Sequence, residues 1–336
     1  MKIKKRGSML VMALWTLMLL SVFSVSLGFG VRQKASLLLR LSTLDALYPI
    51  AYSGVEYAKS LVKSDPDINL DSFLDPWAAA ADSSHAVRVE GGSFSLVGCV
   101  PVTDEESKIN INQTTAEILI RLLRTVPGLS KDNAEEIAYN ILDWMDSDSA
   151  FGHPKYGAET SYYEGLDKPY SAKDAPFETI DELLLVKGIT PEIFEKIRPG
   201  ITVYGSGTVN INTANAQVLS ALGFSSDSIT SLLHYRMGDD GKDGTSDDHY
   251  FKNESTVATD LKDIAKTPLE SSQEILLAGL IQTGHIGVTS TFFSVTSRGV
   301  LEKNGAAIQV EAVFNRKAQV FYQRMGNIEW PKNQSN

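Results

Sequence analysis

The sequence predicts an α/β fold of the α+β kind: an N-terminal transmembrane helix, an antiparallel sheet, and a large all-α domain inserted into that sheet. Three observations predict it. Residues 8–31 carry no charge. Strand-like segments occur near residues 85–100 and again only after residue 290. Between them lies a helical middle that contains an internal repeat. The expected division is a stem helix over 8–64, a sheet domain from 65–102 and 288–330, and an inserted α-helical domain over 103–287.

The N-terminus is the strongest single signal. Lys2, Lys4, Lys5 and Arg6 precede Gly7, and the first acidic residue of the chain is Asp45. An uncharged run over 8–31 extends about 36 Å as a helix, enough to cross a bilayer core. The basic cluster predicts a cytoplasmic N-terminus and export of the remainder. An ordinary secretory signal is the alternative, with small-residue sites around Ser24-Val25-Ser26 or Ser26-Leu27-Gly28.

Leu37, Leu41, Leu44, Tyr48, Ala51, Val55, Ala58 and Val62 recur at helical spacing, so the helix continues beyond the membrane with one apolar face. Pro49 predicts a kink or short break. The helix is expected to end near Ser64-Asp65-Pro66-Asp67.

Residues 85–90 and 93–100 flank Gly91-Gly92, a two-residue hairpin signal. Residues 291–297, 307–314 and 317–325 are rich in β-branched and aromatic side chains, and Lys303-Asn304-Gly305 supplies a second turn. Cys99, the one cysteine, falls in the apolar 94–100 segment and is expected as a buried strand residue without a disulfide.

In the middle, Asn110-Ile111-Asn112 through Leu119 aligns with Asn210-Ile211-Asn212 through Leu219, with Ala116 and Ala216 also matched. Each copy predicts an extended entry, an asparagine cap and a helix. After the first copy, Val126-Pro127-Gly128 punctuates, and an amphipathic helix runs to about Trp144. Thr179-Ile180-Asp181-Glu182 forms a capping box, Gly188 closes that short helix, and Thr190-Pro191 opens the next. Such helix–Gly–helix units are similar to helix–hairpin–helix modules. They raise an alternative, a membrane-anchored periplasmic DNA-binding protein of competence type. Charge opposes it. Of 31 basic residues, 24 lie from Leu41 onward, against all 41 acidic ones, so the exported part carries −17. Phosphate binding needs the opposite sign.

Two acidic clusters predict metal ligands. Asp143 and Asp146 share a helix face, Asp148 follows, and Glu159 returns after a loop. Residues 238–248 hold Asp239, Asp240, Asp243, Asp247 and Asp248 among three glycines. Crowded carboxylates repel unless a cation separates them, and Ca²⁺ accepts about 6–8 oxygen ligands in flexible loops. Solvated acidic loops are the alternative. His153 and His249 lie close by and are expected as surface residues. No His-Glu-x-x-His, Gly-x-Ser-x-Gly or phosphate-loop pattern occurs, so no catalytic residues are expected.

Lys4-Lys5-Arg6-Gly7 ahead of Ser8-Met9-Leu10-Val11-Met12 resembles the class III signal of type IV pilins and pseudopilins. The resemblance to the K-type minor pseudopilin of type II secretion runs nearly end to end. It rests on both Asn-Ile-Asn entries, on Asp143-Trp144-Met145-Asp146-Ser147-Asp148, on Gly157-Ala158-Glu159 with Tyr162-Tyr163, and on residues 176–189. It implies a pilin-like sheet domain and cleavage of residues 1–7 by a prepilin peptidase. Ser8 then becomes the first mature residue, open to methylation, and Met12 the fifth. Most pilins carry glutamate at that fifth position, which the K type typically lacks. The resemblance also implies structural calcium in the inserted domain and a non-enzymatic role at the pseudopilus tip. The implied partners are the I- and J-type minor pseudopilins, the major pseudopilin and the inner-membrane secretion platform. The implied location is the inner membrane, single-pass, with the bulk periplasmic.

Overall fold

The computed structural model describes residues 6–78, 86–98, 100–148, 150 and 152–331. Residues 1–5, His85 and Cys99 lie outside these, so the expectations for most of the leader and for the cysteine fall beyond the described residues. Helix α1 (Arg6–Lys63) is a single run of 58 residues. Its most apolar 18-residue window has a mean hydropathy of 2.2 and is wholly unburied, and the helix is long enough to cross a membrane. Leu37 and Leu41 are exposed, so the expected apolar face meets protein only from Leu44 and Leu47 onward. Pro49 does not break the helix. It sits on the exposed side, where the carbonyl it leaves free is open to solvent.

The chain next forms strands β1 (Val87–Val89) and β2 (Gly92–Leu96). Val89 pairs with Gly92, so the turn is Glu90-Gly91, one residue earlier than the Gly91-Gly92 expected. Gly91 takes φ +82°, the left-handed conformation the turn demands. Strand β3 (Thr103–Asp104) follows.

The inserted part begins with β4 (Ile109–Asn110), α2 (Ala116–Arg124), α3 (Lys131–Met145) and α4 (Thr160–Glu164). A 3₁₀ turn over Ile180–Leu185 stands where an α-helix was expected. Glu182 still accepts the Thr179 N–H at 2.9 Å. Helix α5 (Pro191–Ile197), capped by Thr190, and β5 (Ile201–Thr202) complete the first half. The second half comprises β6 (Val209–Asn210), α6 (Ala216–Leu222), α7 (Ser226–Met237), α8 (Val257–Asp263), α9 (Ser271–Gln282) and β7 (Ile286–Gly287). The chain ends in β8 (Phe292–Leu301), β9 (Ala307–Asn315) and β10 (Val320–Met325).

The main sheet runs β1-β2-β8-β9-β10, antiparallel throughout, with β3 also on β8. Two features differ from expectation. Thr103 pairs with Ser294, so the sheet extends past residue 102. The insert is not all-α: β4 pairs in parallel with β5, and β6 with β7. Each copy of the repeat is thus closed by its own two-residue strand pair.

Two cores result. Along β8, Phe293, Val295 and Ser297 turn toward α1 in strict alternation. They meet Leu47, Ala51, Val55 and Ala58. The fit is close because the contacting residues are small. A Cβ at Gly54 would lie 2.0 Å from Ser297 Oγ, and one at Gly299 would lie 2.6 Å from Ala51 N. Trp77 packs edge-on to Phe293 at 5.3 Å and is fully buried. Each such large side chain contributes about 1.5–3 kcal/mol. The second core unites both halves of the insert, from Ile109 to Val288.

A buried polar joint links the two domains. Asp104 accepts from Ser290 Oγ (2.7 Å), Asn210 Nδ2 (3.1 Å), Thr213 Oγ1 (2.5 Å) and the Glu106 N–H (2.8 Å). Arg316 pairs with Asp65 at 2.8 Å and with Asp71, whose other oxygen accepts the Ser290 N–H at 2.7 Å.

Candidate metal centre

The first acidic site is built at the C-terminal end of α3. Ser130 caps that helix by accepting the Asn133 N–H at 3.1 Å. The helix carries Asp143 fully buried and ends at Asp146. The loop returns so that Glu159 stands at the start of α4, 4% exposed. Carboxylate oxygens of Asp143, Asp146 and Glu159 lie within 4.8 Å of one another. Asp143 accepts the Gly152 N–H at 3.0 Å through Oδ1 and the Ala158 N–H at 3.1 Å through Oδ2. Asp146 Oδ1 and Glu159 Oε1 are buried and have no hydrogen-bond partner among the described residues.

Burial, then repulsion from Asp143 and Asp146, pushes Glu159 up to about 7. Burial first, and neighbouring carboxylates second, also raise Asp146. Burial is the leading cause for Asp143 as well. Two orphaned buried oxygens beside a third carboxylate fit a hard cation, which would take them as ligands and be completed by backbone carbonyls or water. Asp148 stays outside the trio, with its Oδ1 taken by the Ala150 N–H at 2.7 Å. His153 stacks on Tyr156 at 5.0 Å and faces Glu135 at 3.8 Å. Trp144 is core, edge-on to Tyr163 at 4.9 Å. Asp174, whose N–H bonds to Trp144 O at 3.1 Å, adds negative potential at Glu159. It was not legible in the sequence, because helix α4 and a loop separate it from Glu159.

In the second loop Asp240, Asp247 and Asp248 converge within 4.8 Å. Asp247 Oδ2 accepts the N–H groups of Asp239 (2.9 Å) and Asp240 (3.2 Å), and Asp248 Oδ2 accepts that of Gly244 (2.6 Å). Asp239 and Asp243 lie outside this trio, and Asp243 faces Arg236 at 3.8 Å. Gly238 must lack a side chain, since a Cβ would lie 2.5 Å from Asp247 Oδ2. Arg236 is buried and donates to Ala214 O (2.6 Å) and Ile211 O (3.2 Å), while desolvation lowers it to about 10. His249 packs on Tyr235 at 5.2 Å.

A third carboxylate group, Asp65, Asp71 and Asp75, was missed. Its counter-ion Arg316 is 245 residues from Asp71, a distance no local motif signals.

The asparagine cap expected of each copy is found in the second, at Asn215, and not in the first; Asn110, Asn112, Asn210 and Asn212 do not cap helices. Thr115 and Asn215 are the caps of α2 and α6. Asn112 instead clasps Phe177 and Asn212 clasps Phe251 through their backbones. Met12 is 70% exposed on α1, and Gly7 and Ser8 lie in that helix's first turns.

Residues 94–206, from β2 through the first half of the insert, match the family model described as type II secretion system (T2SS), protein K. This segment is similar to type II secretion system protein K. It includes the Asp143–Asp146–Glu159 trio. The type II secretion system protein K of Aeromonas hydrophila is 34% identical over 91 residues, covering 26% of this chain and 27% of the relative. That of Pectobacterium carotovorum subsp. carotovorum is 30% identical over 125 residues, covering 35% and 37%. The aligned stretches thus span about a quarter to a third of these relatives. The fold is similar to a chain of the crystal structure of the GspK-GspI-GspJ complex from the enterotoxigenic Escherichia coli type 2 secretion system. The TM-score is 0.66 at 18% identity, over 88% of this chain and 99% of that one.

Proposed function

We propose that this chain is a minor pseudopilin at the tip of the type II secretion pseudopilus, a structural component for export of folded proteins across the outer membrane. One observation carries the reading. A single helix is bare and apolar over its first half, while its second half is the core of the sheet domain. An element of this kind transmits position rigidly from a membrane to an exported domain. In this reading α1 anchors the chain in the inner membrane with its N-terminus cytoplasmic and its bulk periplasmic. A prepilin peptidase removes residues 1–7, and Ser8 becomes the mature, N-methylated end. The I- and J-type minor pseudopilins are its neighbours and the major pseudopilin lies below. Calcium occupies the acidic loops and holds the insert.

Met12 supports a terminal place. A glutamate there would need a partner amine from a subunit ahead, since an unpaired carboxylate in an apolar bundle costs several kcal/mol. The test is the mature N-terminus together with co-purification. Mass spectrometry should find Ser8 first, and the chain should be recovered with I- and J-type partners. An N-terminus beyond Ser26 would overturn the stem reading. Efficient incorporation of Met12→Glu along the filament body would overturn the tip reading.

A further inference from the structure

The last strand of the main sheet leaves an open edge. β10 pairs only with β9 among the described residues. Met325 is opposite Val310, and the Gly326 N–H donates to Gln309 O at 2.8 Å. In an antiparallel ladder the inward-bonded residues alternate. Gly326, Arg324 and Tyr322 therefore bond inward, and the N–H and C=O groups of Gln323 and Met325 point away from the sheet.

Sheet edges are usually blunted by lysine, proline or a charged inward-facing side chain. β10 reads Val-Phe-Tyr-Gln-Arg-Met. Its one charge, Arg324, is held by Glu311 at 2.9 Å and Asp181 at 3.4 Å. Phe321 is 49% exposed and Met325 43%. Beside this edge, between the sheet face away from α1 and the insert, lies a cleft of about 370 Å³. Val313, Tyr322 and Arg324 line it from the sheet, and Asp181, Arg198 and Tyr204 from the insert.

We propose that the β10 edge binds an extended, neutral-to-basic segment of a different protein. The segment adds as a strand beyond Met325 and Gln323, and side chains on its cleft-facing side pack beside Tyr322. Backbone complementarity at an edge selects an extended chain, and the flanking pocket selects alternate apolar or aromatic side chains. Charge selects the partner. Two copies of this chain would bring together exported parts of −17 each, which repel.

The test uses the full chain in neutral phosphatidylcholine nanodiscs, with empty nanodiscs subtracted. The probe is a fluorescein-labelled peptide, Lys-Val-Lys-Tyr-Lys-Val-Lys, compared with its glutamate counterpart. Anisotropy should show saturable binding of the basic peptide, at least tenfold tighter than the acidic one, and hydrogen exchange should slow at residues 320–325. Met325→Pro removes an outward donor and no ladder bond, so it should weaken binding tenfold or more at an unchanged melting temperature. Phe321→Lys should act in the same direction. Equal affinity in both variants, or equal binding of the two peptides, would overturn the proposal. A self-association lost in Met325→Pro would give the edge to a second copy and overturn it as well.

Discussion

Asn212 holds Phe251 by both backbone groups: its Oδ1 accepts the Phe251 N–H at 2.8 Å and its Nδ2 donates to Phe251 O at 2.9 Å. Asn112 does the same to Phe177, at 2.8 and 2.9 Å. The repeat in the sequence is therefore a repeat of clamps. The preceding asparagine of each pair accepts the N–H of the clamping one, at 2.9 Å for Asn110 and 3.0 Å for Asn210. This fixes the clamping residue two positions beyond a two-residue strand.

Removing a clamp should be costly. Asn212→Ala leaves a buried N–H and C=O of Phe251 unpaired, each worth about 1–3 kcal/mol. Chemical denaturation should show a loss of roughly 3 kcal/mol for Asn212→Ala. Asn215→Ala, which removes an ordinary helix cap, should lose only about 1 kcal/mol. Equal losses would mean that the clamp is no more than a cap.

The α1–β8 contact sets how the stem meets the sheet. Gly54→Ala brings a methyl to 2.0 Å from Ser297 Oγ. The gain in helix propensity is about 0.5–1 kcal/mol, smaller than the roughly 1–3 kcal/mol cost of overpacking. The melting temperature should fall. Ser297→Gly in the same chain should restore part of the loss, because Ser297 Oγ is buried without a partner and forfeits no bond. Lack of any rescue would show that Phe94, 2.9 Å from the same Cβ, decides the fit.

Calcium should stabilise the protein beyond the apolar half of α1. Because α1 from Leu47 to Val62 is core, a soluble fragment has to begin near Ser42 and not after the helix. At 100 times its dissociation constant, a ligand adds about 2.7 kcal/mol. Unfolding in millimolar calcium against chelator should show a gain of that order. Glu159→Gln and Asp146→Asn should each remove most of it. An unchanged unfolding curve, in protein shown to be metal-free beforehand, would leave the trio as a solvated loop.

The same carboxylates predict the pH dependence. Glu159 rises from an ordinary 4.5 to about 7, so the folded state holds its proton more tightly than the unfolded chain does. Its stabilising contribution is full below about 4.5 and is lost as pH rises through about 7. Asp71, lifted to about 7 mainly by burial against the pull of Arg316, acts in the same direction. Metal-free protein should therefore melt lower at pH 8 than at pH 5. Calcium binds the ionised trio, so its stabilising effect should grow over the same interval. Glu159→Gln should flatten that growth, and a calcium effect as large at pH 5 as at pH 8 would count against the trio as ligands.

Much was determined by the sequence itself. The stem follows from an uncharged run followed by one apolar helical stripe, and the strands β8 and β9 from a period of two. The ends of α3 and α5 follow from Ser130, Thr190 and Pro191. These are local signals, fixed by backbone hydrogen bonding and by the period at which side chains meet a face. The sequence also brought Asp143, Asp146 and Glu159 into one candidate set. Tertiary structure decided which carboxylates converge, because convergence depends on how a loop closes: Asp148 and Asp243 turn to other partners, and Asp239 lies outside its trio. It also placed Arg316 against Asp71, Arg236 beneath an acidic loop, and the two asparagine clamps on phenylalanine backbones. The Arg316 and asparagine pairings join residues 39 to 245 positions apart, and they exist only because two cores pack and leave buried polar groups that must find partners.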